Sequence, residues 1–271
     1  MATTDPKYQI GTPENKKFLD ISRDNLIAFG RHFPAVDGSS YWLVDDGTPW
    51  KGRNRATWIT CRMTHVYSLA TLLGVDGAAE LIDDGIRGLN ANMHSVEACL
   101  AVADVTGDES WRERAGRIIE HVLKRAEEND WRIPEHFTSD WVAELEFNAD
   151  KPDGQFKPYG ATPGHGIEWA RLITQYALSM YGKDGVLGGD GKKCLDAAEH
   201  LFNRAVKDAW NADGAPGIVY TTDWEGKPVV HDRMHWTLAE GVNTAATLYH
   251  VTGKRNTPTG MRRSSSTSTR I

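Results

Sequence analysis

The sequence is poor in the features that mark several large protein classes. No window approaches the ~18 to 20 uncharged apolar residues of a membrane span, so no membrane association is expected. Cysteine is scarce. Cys61, Cys99 and Cys194 are odd in number, lack CxxC spacing and fall inside helical patterns. They predict reduced core thiols, not a disulfide scaffold. The opening MATTDPKYQIGTPENKK has neither an apolar stretch nor a cleavage pattern, which points to a cytoplasmic chain with a loose segment over residues 1–17. Positive charge is also short. The net charge is −6, and Lys254, Arg255, Arg262, Arg263 and Arg270 lie beyond residue 250 without an acid, which leaves −11 for the rest. An acidic body repels a phosphate backbone, so nucleic acid is not an expected partner.

What remains is an ordinary globular composition, 40% hydrophobic and 25% charged over 271 residues, enough for one large domain or two small ones. Its informative feature is a repeated helix type. The copies begin RMTHVYSLATLLG at Arg62, NMHSVEACLAVADVTG at Asn92, GHGIEWARLITQYALSMYG at Gly164 and RMHWTLAEGVNTAATLYHVTG at Arg233. Each opens on a polar turn, runs through small and apolar residues, and ends at a glycine, which stops a helix by taking the left-handed conformation. Amphipathic helices lie between them over Ala78–Ile86, Ser110–Glu128 and Lys192–Ala209, after a first one over Phe18–Phe33. In Ser110–Glu128 the residues Trp111, Ala115, Ile118, Ile119, Val122 and Leu123 form one apolar stripe. Small-residue helices alternating with amphipathic ones predict an all-α fold in two layers, the inner helices buried nearly all round. Residues 34–55 read as a structured loop or short hairpin, and Gly217–Tyr220 is the best strand pattern.

Two long loops lead into inner helices. Residues 129–163 carry Trp131, Phe137, Trp141, Phe147, Phe156 and Tyr159 among acids and prolines, and residues 211–231 carry Tyr220 and Trp224. Loops above ~15 residues in a compact domain are functional or disordered, and this aromatic density argues for function. Aromatic faces with nearby acids suit a sugar, whose C–H faces stack while its hydroxyls hydrogen-bond.

The candidate chemistry sits at helix starts. In PGHGIEWA, His165 and Glu168 are three apart, on one helix face. Helix N-terminal amides favour a neutral imidazole there, and a neighbouring carboxylate would orient it for proton transfer. His94 and Glu97 repeat the pair in NMHSVEA, and His235 occupies the same place in RMHW. Histidines at equivalent positions of a helix repeat converge on one end of the assembly. His65, a turn into its helix, reads as a satisfied core histidine. Arg62 and Arg233 open their helices, where the dipole disfavours a cation, so they are functional candidates or members of structural ion pairs. There is no HExxH, no paired CxxC, no Asp-rich calcium loop, no Walker A motif, no strand-borne GxGxxG and no GxSxG. GVLGGDGKK at 185–193 reads as a plain turn, and no metal or other cofactor is expected.

RMTHVYSLA, NANMHSVEACLAVADVTGD, YGATPGHGIEWARLI and RMHWTLAEG together resemble the N-acylglucosamine 2-epimerase superfamily, nearest to its mannose isomerase and sulfoquinovose isomerase branch, over about residues 18–253. The resemblance implies an (α/α)6 barrel with its site at the inner-helix N-termini. It also implies metal-free interconversion of an aldose and its ketose through a cis-enediolate, on a monosaccharide. By motif, His165 is an acid/base histidine, and Glu168 orients it or contacts the sugar. Arg62 binds substrate hydroxyls and stabilises enediolate charge, while His94 and Trp236 line the pocket. His235 and Glu97 join them as binding residues through the helix repeat.

Two departures qualify that picture. The family continues past the RMHW helix to a second acid/base histidine, whereas here a Ser/Arg-rich tail, expected to be disordered, occupies residues 254–271. LIDDGIRGLNANMHS also joins two elements directly where the family has a further stretch, so an internal deletion is expected near Gly85–Arg87. An incomplete barrel of about four of six helix pairs follows, with exposed inner-helix faces that would favour a homo-oligomer. Three other readings stay open. One is 2-epimerisation of a free or N-acylated sugar, and another is a truncated, inactive sugar-binding homologue. The third is a glycoside hydrolase using two carboxylates among Asp140, Glu144 and Asp223.

Overall fold

The computed structural model describes residues 5–35, 39–78, 81, 92–138, 142–154 and 158–254. The helix expected over Ala78–Ile86 lies almost wholly outside them, as do the junction near Gly85–Arg87 and the tail from residue 255. The described residues form seven α-helices and one two-stranded sheet, an all-α architecture. They divide into two compact units, with the boundary between Gly116 and Arg117.

In the first unit, a 3-10 turn at Pro6–Tyr8 precedes α1, Pro13–Gly30. This helix begins five residues before the expected Phe18 and enters the segment expected to be loose. Thr12 caps it, its Oγ1 accepting from Asn15 N at 3.1 Å, and Pro13 supplies the preset φ of a first helical residue. Residues 34–55 form hairpin-like turns through bridges Pro34–Ser40 and Leu43–Pro49. Helix α2, Thr57–Leu72, packs against α3, Asn92–Thr106. The core gathers Ile27, Phe33, Tyr67, Ala70, Ala78 and Val102, with Trp111 packed against it. Hydroxyls inside α2 are satisfied by carbonyls one turn back, Thr64 to Thr60 and Ser68 to Thr64, so a helix rich in small polar residues can still be buried.

Helix α4, Ser110–Glu128, has the expected bounds. Ala115, Gly116, Ile119 and Ala126 are its buried positions, and its apolar stripe is the predicted one with Ala126 added. The second unit is built on α5, Pro163–Gly185, which packs against both α6, Gly189–Ala209, and α7, His235–Thr252. Helix α6 starts three residues before the expected Lys192, so GVLGGDGKK is a turn only at residues 186–188. Strands β1, Thr221–Thr222, and β2, Pro228–Val230, pair antiparallel. The strand expected at Gly217–Tyr220 is displaced, since Ile218 makes only an isolated bridge to Trp210. Thr222 also bridges to Ala161, where a Cβ on Gly160 would stand 2.1 Å from the Thr222 carbonyl oxygen. The loop before α5 is thereby fastened to the hairpin.

All four glycines expected to stop inner helices have positive φ, Gly74 (73°), Gly107 (70°), Gly182 (67°) and Gly253 (65°), but at Gly182 α5 only kinks and runs on to Gly185. Burial all round holds for α3, whose residues 94–103 are buried without a break, and for α5, where residues 163–174 are buried except His165. Helix α2 differs, because Val66, Leu69 and Leu73 form an exposed apolar stripe. No helix among the described residues is long and apolar enough to cross a membrane.

Candidate active site

Each unit holds a histidine–carboxylate pair at the start of an inner helix. In the first, His94 is the third residue of α3 and Glu97 lies one turn on. The His94 Nδ1 and Glu97 Oε2 are 2.9 Å apart, and both residues are 8% exposed. On the other side of the ring, Arg62 Nε donates to His94 Nε2 at 3.2 Å. A carboxylate only accepts and a guanidinium only donates. The two contacts suit the tautomer with its proton on Nδ1 and its lone pair directed at Arg62. His65 also reaches this carboxylate, with Nδ1 3.8 Å from Glu97 Oε2. The Arg62 guanidinium lies 5.4 Å from the Trp58 ring centroid, and Trp58 meets Trp42 edge-on at 5.4 Å. His94, Glu97 and Arg62 are thus brought together as expected. Arg62 does not open its helix, however. Helix α2 begins at Thr57, so Arg62 stands in the second turn and the dipole argument lapses.

In the second unit, His165 is the third residue of α5, and Trp236 is the second of α7. Their rings stack with centroids 5.2 Å apart. A Cβ on Gly164 would lie 2.6 Å from the Trp236 ring and 2.7 Å from the Thr237 methyl, so glycine is what lets α7 start this close to α5. The carboxylate on His165 Nδ1 is not Glu168. It is Glu135, whose Oε1 lies at 2.5 Å. Glu168, 3% exposed, instead has its Oε1 3.7 Å from Arg171 Nη2, and Arg171 Nε donates to Glu240 Oε2 at 2.9 Å. The i,i+3 spacing predicts the histidine's partner in α3 but not in α5, where Glu135 supplies that carboxylate.

Glu135 has no local sequence signal as a site residue, although the aromatic loop that carries it reads as functional. That loop also stacks His136 on Phe147 at 4.3 Å. Trp224 Nε1 donates to the Leu145 carbonyl at 2.6 Å, which ties it to the second long loop. Tyr220 belongs to the same neighbourhood: burial, then the negative charge of Glu135, raises its phenol pKa. His235 is exposed at the first position of α7, and its neighbour Trp236 makes the contact with His165. Arg233 precedes α7 and forms a bidentate pair with Asp213, at 2.5 and 3.0 Å, the structural ion-pair reading. That pair and His231 hold the Asp213 carboxyl far below the usual range. Of the hydrolase carboxylates, Asp140 lies outside the described residues and Glu144 is exposed. Asp223 closes a turn by accepting from the amides of Glu225 and Lys227.

Comparison with known proteins decides the lineage. The chain matches the N-acylglucosamine 2-epimerase (GlcNAc 2-epimerase) family over residues 38–89 and 86–270. It belongs to that family. The two matched segments meet at residues 86–89, where the internal junction is expected. A D-mannose isomerase of Pseudomonas cannabina pv. alisalensis is 45% identical over 174 residues, 64% of this chain and 41% of that protein. One of Thermobifida fusca is 31% identical, covering 88% of this chain and 79% of that protein. Their alignment runs over 330 residues, more than the 271 here, so the relative has internal sequence that this family member lacks. Among solved structures, a D-mannose isomerase aligns at 24% identity with a TM-score of 0.71, over 88% of this chain and 66% of the other. A cellobiose 2-epimerase from Spirochaeta thermophila aligns at 16% identity with a TM-score of 0.63, over 89% and 65%. These likenesses show an all-α fold of the (α/α)6-barrel class. The chain is an enzyme-family member of the mannose isomerase branch, whose relatives act on carbohydrates.

Proposed function

We propose that this protein is an aldose–ketose isomerase of the mannose-to-fructose type, with His165 as the proton-transfer group. The observation that carries this reading is the 2.5 Å contact between His165 Nδ1 and Glu135, beneath the stacked Trp236 ring. With its proton on Nδ1 facing the carboxylate, the neutral imidazole has its lone pair on Nε2. On a ring-opened aldose, Nε2 takes the C2 proton, giving a cis-enediolate with its charge on O1. A proton passes from O2 to O1, and the imidazolium returns its proton to C1, leaving the ketose. Glu135 steadies the imidazolium between the two transfers. Trp236 offers an aromatic face to the sugar, and Glu168 with Arg171 fixes the α5 turn that bears the histidine.

Arg62 is assigned to sugar hydroxyls and developing enediolate charge. His94, its lone pair engaged by Arg62, positions that guanidinium and is not itself the base. Glu97 orients His94, and His235 is assigned a peripheral binding role. The assignment to a cytoplasmic monosaccharide metabolism is part of the same proposal. So is self-association through the exposed α2 stripe, which sedimentation of the purified chain would test.

The deciding experiment is proton NMR of D-mannose with the protein in D2O. Fructose formation with deuterium entering from solvent supports isomerisation, and conversion to glucose with C2 exchange supports 2-epimerisation, the alternative favoured by the family's name. Neither product from a cooperatively melting sample would leave a sugar-binding relic. In an active protein, His165→Ala is expected to abolish turnover while leaving the melting temperature nearly unchanged. A large loss of stability with activity per folded molecule preserved would remove His165 from the chemistry.

A further inference from the structure

We infer that one face of α6, carrying His200, Arg204 and Asp208, is a positioning device that delivers Glu135 to His165; this rests on the dyad proposed above. The starting observation is backbone strain. Asp130 (φ 53°) and Trp131 (φ 63°) are consecutive residues in the left-handed region, and neither is glycine. A bulky residue such as Trp131 is a genuine outlier there, and two such residues in a row carry strain. They persist only where the surroundings over-determine them.

The surroundings here come from positions one turn apart on a single helix. Residues i, i+4 and i+8 share a face, and each member grips a different part of the turn. The His200 ring stacks on Trp131, centroids 4.8 Å apart and 11° from parallel. Its Nδ1 lies 2.8 Å from the Asp196 carbonyl, which sets the ring plane. Arg204 Nη2 donates to Asp130 Oδ1 at 2.9 Å, and its Nη1 reaches Asp208 Oδ1 at 3.4 Å. Asp208 Oδ2 accepts from Arg132 Nε at 2.8 Å, and Arg132 Nη1 donates back to Asp130 at 3.1 Å. The Arg132 and Asp208 side chains are each 7% exposed. The loop at Gly226 roofs the pair so closely that a Cβ there would stand 2.7 Å from Asp208 Oδ1.

Arg132 is three residues before Glu135, and buried Ile133 and Pro134 lie between. With Arg132 clamped, the chain has few soft torsions left before the carboxylate. Stabilising the turn alone would need neither the consecutive left-handed residues nor an ion quartet. A capping glycine would end α4 without strain. The strained turn makes sense if it sets the direction in which residues 133–135 leave the helix, and the quartet then fixes the 2.5 Å contact at His165.

The test reads the imidazole of His165 directly and does not depend on sugar turnover. Histidine labelled with 15N in the ring is incorporated, and the His165 signals are assigned by their absence in His165→Gln. In the wild type, His165 is expected as the tautomer protonated on Nδ1, and Glu135→Gln should shift it toward the other tautomer. Arg204→Gln removes a partly exposed member of the quartet and should leave a cooperative fold. Its His165 signals should move in the same direction as in Glu135→Gln, with Arg204→Lys restoring much of the wild-type pattern. Asp208→Asn should act more strongly, although it also strands buried Arg132, so Arg204→Gln carries the decision. Wild-type His165 signals in a folded Arg204→Gln would overturn the positioning role while leaving the dyad intact. An unchanged spectrum in Glu135→Gln would remove the dyad, and this inference with it.

Discussion

Gly164 governs the candidate site without contributing a side chain. It lies between the proline that starts α5 and the histidine proposed as base, against the first residues of α7. An added methyl would fall 2.6 to 2.8 Å from two Trp236 ring carbons, and a ring cannot yield as a flexible chain end can. Gly164→Ala should therefore cost about 1–3 kcal/mol through overpacking. It should also pull Trp236 off His165, visible as altered tryptophan fluorescence and near-UV dichroism. A variant with wild-type stability and an unchanged spectrum would show that the two helix starts can separate freely. At the same scale, His94 and His165 have similar local sequences and different settings. The His94 lone pair is met by Arg62, whereas His165 is set between Glu135 and an aromatic face. Two histidines that open their helices alike are thereby assigned to positioning and to proton transfer.

Between elements, α5 and α7 are joined by two polar contacts far apart in sequence. Thr244 Oγ1 donates to the Ile167 carbonyl at 3.0 Å, and Arg171 spans Glu168 and Glu240. Arg171 and Glu168 are 5% and 3% exposed, so the guanidinium answers a carboxylate that water scarcely reaches. Arg171→Met keeps most of the side-chain volume and removes that charge. It should destabilise the protein by about 3–5 kcal/mol in urea unfolding, the usual cost of breaking a buried pair. Glu240→Gln should cost far less, because Glu240 is 22% exposed and can be resolvated. Equal effects would place the energy in the outer pair instead. These contacts also mark what a sequence can and cannot reveal. The stop glycines and the bounds of α4 follow from local rules of propensity and capping, and they were legible. So was the His94–Glu97 pair, set by a one-turn spacing. Glu135 meets a histidine thirty residues away, and Arg171 a glutamate sixty-nine residues away. No periodicity encodes such pairings, because they arise only when packed helices fix the loops between them.

For the molecule as a whole, burial of tyrosines sets a boundary on the alkaline side. Desolvation raises the phenol pKa of Tyr67 in the first unit, and of Tyr176 and Tyr220 in the second. The largest effect is at Tyr176, pushed from 10 up to about 12. A phenol ionises by losing a proton, and the unfolded chain loses it first. Between pH 10 and about 12 the unfolded state therefore binds fewer protons than the folded one, and stability falls as pH rises. Below pH 10 both states hold the proton, and these groups contribute no pH dependence. The tyrosinate absorbance of the eight tyrosines should accordingly develop in two stages. The buried phenols, Tyr176 above all, ionise late, in a steep step that coincides with loss of helical dichroism. Tyr176→Phe removes a group whose ionisation favours unfolding, so it should shift that step to higher pH if the cavity is kept filled. A smooth single titration of all eight, with the helical signal intact, would mean that water reaches Tyr176 and that α5 is not packed as described.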